Sequence, residues 1–182
     1  MLYNDCIGGL MDPLVKEGDA AVYEKHIKNL KAAEKIAGRY SYIFTTQRCL
    51  CEALQIKYEL GVKTRNAYKT GDPKAIKDLV KTLYYPLIKK LEQFYAALEY
   101  QWSVENKPHG FEVQDYRLGG LIKRVEHCAA RLIRFANGKD ARIEELEEIM
   151  LDPFGNSAEV NKRLTTFNNF GKNIGVNQIT WH

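Results

Sequence analysis

The residues best equipped for chemistry crowd into one stretch, Glu105-Asn106-Lys107-Pro108-His109-Gly110-Phe111-Glu112-Val113-Gln114-Asp115-Tyr116-Arg117-Leu118-Gly119-Gly120. Glu105, Glu112 and Asp115 supply carboxylates and His109 supplies an imidazole base. Paired carboxylates can run glycoside hydrolysis, one as acid and the other as base or nucleophile. Many surface loops in a chain with 23 acidic residues would show as much. No nucleophile–base–orienter set is readable from order or spacing. The expectation is that no residue of this chain is catalytic.

Two other readings of the stretch stand beside that one. In the first it binds: an exposed loop with aromatic rings, an Arg and carboxylates can stack on a sugar, bond its hydroxyls, or dock on a partner domain. Trp102, Glu105, Asn106, Lys107, His109, Phe111, Glu112, Asp115 and Arg117 are the interface or substrate-contact candidates. In the second it is architecture. Pro108 and Gly110 turn the chain, Asp115 caps the next helix, and Arg117 pairs with a carboxylate on the preceding one. Trp102, Phe111 and Tyr116 then close the bundle end. Gly119-Gly120, near a helix start, costs about 1 kcal/mol per glycine relative to Ala. That cost points to close backbone approach, by another helix or by a partner.

The elements that must position this stretch read as helices. Residues 1–18 have no periodicity. Asp19 can cap a helix reaching about Ala37, with Val22, Tyr23, His26, Ile27, Leu30, Ala33 and Ile36 near one face and Gly38 as its stop. A second helix runs from about Arg39 to Lys69. Thr70-Gly71-Asp72-Pro73 then combines a left-handed end, an N-cap and a first-turn proline. A third, from about Pro73 to Val104, should kink at Pro86 without ending, because its apolar stripe continues in phase. A fourth runs from Asp115 or Tyr116 to Ala136, and a short acidic helix covers Ile143 to Met150. The tail from about Ser157 is polar and β-tolerant. Long helices joined by short turns favour antiparallel neighbours. The expected fold is all-α, an up-and-down antiparallel bundle of three to four long helices with a non-helical N-terminal segment and an irregular C-terminal tail.

Composition narrows the function. The 182 residues are 45% hydrophobic and 27% charged, an ordinary globular balance. Apolar runs fall far short of the roughly 20 residues that span a bilayer, and no signal peptide is visible. The net charge of +4 is spread along helices in alternating signs, which argues against nucleic acid. Cys6, Cys49, Cys51 and Cys128 form no CxxC pair, and the histidines lack ligand spacing, so neither a metal site nor a cofactor is expected. Reduced, buried thiols favour a cytoplasmic compartment.

Two segments carry a family resemblance. Leu2-Tyr3-Asn4-Asp5-Cys6-Ile7-Gly8-Gly9-Leu10-Met11-Asp12 resembles the segment that follows the catalytic barrel in a subgroup of family 20 glycoside hydrolases, which are exo-acting β-N-acetylhexosaminidases. Cys6 stands where that pattern carries Pro. The stretch Glu105 to Leu121 resembles the strongest motif of their C-terminal helical domain, E-N-K-P-x-G-F-E-V-x-D-x-R-x-G-G-L with a Trp shortly before it, here Trp102. The resemblance implies chemistry on a (β/α)-barrel, through an Asp–Glu pair and attack by the substrate's acetamido group. No alternating strand–helix pattern is visible in this chain.

The resemblance therefore implies a non-catalytic accessory domain that packs on a hexosaminidase barrel, contributes to a homodimer, or shapes the glycan site. Residues 1–18 would be the connector from the barrel, 19–156 the bundle, and 157–182 a tail of the same domain. If residues 1–18 cover the barrel, its absence should leave Leu2, Tyr3, Ile7, Leu10 and Met11 bare, to be hidden by self-association or left disordered. The alternative is a stand-alone helical module that binds a protein or a ligand.

Overall fold

The punctuation at Thr70-Gly71-Asp72-Pro73 works as its residue types require. Gly71 takes a left-handed φ of 65°, and the Asp72 side chain accepts the Lys74 amide at 2.9 Å. Pro73 starts the next helix. Equivalent glycine stops stand at Gly38 and Gly138. The computed structural model describes residues 1–9 and 11–148. They form an all-α, up-and-down antiparallel bundle, with no strand among the described residues. The tail beyond, and most of the proposed helix end at Ile149 and Met150, lies outside the described residues.

The helices are α1 (Val22–Ile36), α2 (Ser41–Lys57), α3 (Leu60–Thr70), α4 (Pro73–Leu79), α5 (Tyr85–Glu105), α6 (Glu112–Gln114), α7 (Gly120–Ala136) and α8 (Glu144–Glu147). α1 packs on α2, α2 on α5, and α7 on α4 and α5. The core between them holds Ile76, Val80, Leu87 and Leu91 from one side. Leu121, Val125, Cys128 and Leu132 of α7 close it from the other.

Three helices depart from their expected course. The chain stays helical from Pro73 to Glu105, but Val80–Tyr84 forms a π turn just before Pro86. Proline removes a backbone donor and crowds the carbonyl four residues back, and a widened turn accommodates both. The fourth helix starts earlier than expected, at Glu112, and passes through a second π turn, Asp115–Gly119.

The second helix is not continuous. It breaks at Tyr58 and Glu59. Glu59 reaches across to accept the amides of Gly18 at 3.0 Å and Ala20 at 2.8 Å. It thereby caps the approach to α1, which Asp19 was expected to do. Asp19 instead accepts from the Lys16 amide. Burial raises the Glu59 carboxyl, yet the Ala20 amide and Lys63 outweigh it and hold the group below its ordinary range.

Residues 1–9 correct a further expectation. Ile7 and Cys6 are each 1% exposed within the bundle's own core, and Leu2 and Tyr3 pack against it. Met11 is exposed, and Leu10 lies outside the described residues. The apolar side chains expected to lie bare are thus mostly covered by this chain itself.

Candidate functional site

Trp102, on the last turn of α5, organises the loop that follows. Its indole N–H donates to the Lys107 carbonyl at 2.8 Å, and its own carbonyl accepts the Asn106 amide. Phe111 sits between two rings, 5.8 Å from Trp102 and 5.7 Å from Tyr95, both tilted or edge-on. Gly110 passes beneath the indole with φ 101°, where a Cβ would stand 3.3 Å from the ring. Glycine is needed here both for the left-handed backbone and for the close approach.

The carboxylates serve this loop. Glu112 accepts the Gly110 amide at 2.7 Å, and Glu105 accepts from Gln101 at 3.2 Å. Asp115 accepts the Tyr95 hydroxyl at 2.6 Å, and that bond raises Tyr95 to about 12. Asp115 is therefore not the helix cap that its sequence position suggested. The helix begins three residues before it, and a tyrosine of α5 takes its side chain. Asn106, Lys107 and His109 are exposed along the loop's outer edge.

Arg117 turns away from this cluster. No carboxylate of α5 pairs with it; its guanidinium lies over the Tyr3 ring, 5.0 Å from the centroid. Its Nε is buried and has no partner among the described residues. Burial raises the Tyr3 phenol, while the guanidinium pulls the other way. Tyr116 does not close the bundle end, for it is 78% exposed. Gly119 and Gly120 lie on the exposed face, and among the described residues nothing lies within 4 Å of where a Cβ would stand, so no described helix approaches them. The structure thus joins Trp102, Lys107, Phe111, Glu112 and Asp115 in one scaffold and sends Arg117 to the N-terminal segment.

Sequence reasoning missed the residues that anchor that segment. Arg124 grips Asp5 with two bonds of 2.7 and 3.0 Å, and Asp5 also accepts the amides of Ile7 and Gly8. Burial opposes ionisation of Asp5, but these donors win and bring it down to about 2. Asn4 donates to Asp12 at 2.7 Å, and buried Lys57 donates to the Asn4 carbonyl. The Asp12 carboxylate fills the space left by Gly9 and Gly61, where any Cβ would overlap it. One Asp12 oxygen has no partner among the described residues, and burial pushes the carboxyl up to about 6 despite Asn4 and Lys57. Arg65 ties α3 to the Ile7, Glu145 and Leu146 carbonyls. Asn4-Asp5 followed by Gly8-Gly9 was the available signal, since Asx side chains close local turns.

The family model for the Glycoside Hydrolase 20C C-terminal domain matches residues 1–165, which include both the anchored segment and the Trp102 loop. The chain belongs to this family. No curated protein matches it. Within the Glycoside Hydrolase 20C C-terminal domain, the described residues hold no group of three His, Cys, Asp or Glu side chains that could bind a metal. No helix among them is long and apolar enough to cross a membrane.

Proposed function

We propose that this chain is a non-catalytic accessory domain of a cytoplasmic β-N-acetylhexosaminidase active in carbohydrate metabolism. It packs on the catalytic barrel, with residues 1–18 as the connector, 19–156 as the bundle and 157–182 as a tail of the same domain. The observation that supports this reading most is the construction of the Trp102 loop. Its carboxylates hold the loop's own backbone and Tyr95, while Asn106, Lys107, His109 and Tyr116 line a preformed outer edge. A rigid, exposed, polar and aromatic edge suits recognition better than bond-breaking. The edge faces the barrel or a second subunit, and in either place it can contact the glycan.

The test pairs the isolated chain with the full-length enzyme on a chromogenic N-acetyl-β-glucosaminide. The isolated chain should release no chromophore. In the full-length enzyme, Lys107→Ala together with Tyr116→Ala should weaken turnover or dimer formation. Turnover by the isolated chain, lost in Glu112→Gln, would overturn the proposal.

A second reading, a stand-alone helical module binding a protein or ligand, draws support from the N-terminal segment. Ile7 and Cys6 complete the bundle's own core, so the fold closes without a further domain. Tryptophan fluorescence during titration with N-acetylglucosamine separates the two: saturable change in the isolated chain favours the module.

A further inference from the structure

The large apolar side chains left exposed are not spread evenly over the bundle. Of the ten among the described residues, six stand at one end. Ile36 closes α1, and Tyr40 follows in the turn to α2. Tyr100 and Val104 lie on the last turns of α5, and Val113 and Tyr116 in the segment that leads into α7. Side-chain contacts bring these pieces together. Tyr42, two residues after Tyr40, meets Tyr100 edge-on at 6.0 Å, and the Trp102–Phe111 pair holds the following loop to α5. None of the six is less than 48% exposed. A single exposed apolar side chain is ordinary, but a group drawn from several elements to one end marks an interaction face.

We propose that this end of the bundle is the surface on which the catalytic domain of the same chain docks, with that domain's backbone seated against Gly119 and Gly120. The inference rests on the accessory-domain reading above and narrows it, since it chooses the chain's own catalytic domain over a second subunit. Three observations support it. The family is a C-terminal domain of a glycoside hydrolase, so in the parent enzyme a catalytic domain comes before it. Tyr3 lies under Arg117, next to Tyr116 in the chain and two residues before Gly119, so a domain joined to residue 1 is tethered beside this face. Glycine weakens a helix, and among the described residues nothing approaches Gly119 or Gly120, which leaves room there for a partner's backbone. The last described residue, by contrast, is held elsewhere: the Glu148 carbonyl accepts from Arg65 on α3. Residues 149–182 therefore leave the bundle away from this end.

The experiment places the photo-cross-linker p-benzoylphenylalanine at Tyr100 or at Tyr116 of the full-length enzyme, and at exposed Lys25, on the first turn of α1, as a control. Both tyrosines are exposed, so the fold accommodates the change. After irradiation, the product is sized on a denaturing gel and digested for mass spectrometry. Both positions should join to peptides of the catalytic domain in a product of single-chain mass, and Lys25 should not. Val104→Glu puts a charge into the face and should abolish the cross-link from position 116 with the far-UV circular dichroism unchanged. A product of two-chain mass, a cross-link to residues 149–182, or a yield no higher than at Lys25 would each overturn the proposal. Chromophore release by the isolated chain is measured separately. An inactive chain whose cross-links fall elsewhere rejects this face alone, whereas an active one rejects the accessory-domain reading and the proposal with it.

Discussion

The Arg117 guanidinium lies over the ring of Tyr3, 5.0 Å from its centroid. This one contact joins the two segments that carry the family resemblance. Arg117 belongs to the loop motif and Tyr3 to the anchored N-terminal segment. A half-desolvated cation–π pair contributes about 1 kcal/mol. Arg117→Ala should cost about that much and raise amide exchange at residues 2–9, with Arg117→Lys recovering part. Unchanged exchange would show that the Arg117 contact does not hold the segment.

Trp102 should be the most sensitive position of the motif. Trp102→Ala removes the ring that Phe111 and Gly110 pack on, and the cost should reach about 3 kcal/mol. Trp102→Phe keeps most of the packing and loses the bond to the Lys107 carbonyl, for about 1 kcal/mol. Urea denaturation of both variants measures the difference.

Gly61→Ala should destabilise the chain by about 2–3 kcal/mol, because the new Cβ overlaps the Asp12 carboxylate. Combining it with Asp12→Ala should cost less than the sum of the two single changes. Additive costs in that double-mutant cycle would sever the link between α3 and residue 12.

Asp5 and Asp12 set opposite limbs of a pH profile. Asp5 titrates lower in the fold than in the unfolded chain, at about 2. Its contribution is present above its ordinary value and is lost as pH falls toward 2. Asp12 titrates higher in the fold, at about 6. Its neutral form is favoured, so its contribution is present below its ordinary value and is lost as pH rises through 6. Each limb is worth at most about 3 kcal/mol. Urea unfolding from pH 2 to 8 should show Asp12→Asn flattening the upper limb and Asp5→Asn flattening the lower one.

Local chemistry was legible in the sequence. Gly71, Asp72 and Pro73 act through neighbours in the chain, so their roles could be read from residue type alone. The break at Tyr58 and Glu59 could not be, because Glu59 and Gly61 answer to Gly18, Ala20 and Asp12 some forty or more positions away. The motif followed the same division. Trp102 and Phe111 met as expected, since five residues of loop leave them few alternatives. Asp115 and Arg117 took partners from Tyr95 and Tyr3, which only the packing of α5 and residues 1–9 brings near.

The π turn at Asp115–Gly119 also bears on how this motif tolerates change in length. A π turn holds one residue more than the α-helical turn it replaces. Deleting one residue between Asp115 and Gly119 would restore an ordinary helix and alter composition hardly at all. The flanking helices would keep their phase, because the turn carries its extra residue without rotating what lies on either side, and Leu121 and Val125 would still face the core. A deletion from the regular helix of α7 would instead rotate everything on its N-terminal side by about 100° and carry Asp115 off Tyr95. The π turn is thus the one place in this motif where losing a residue is the mild lesion.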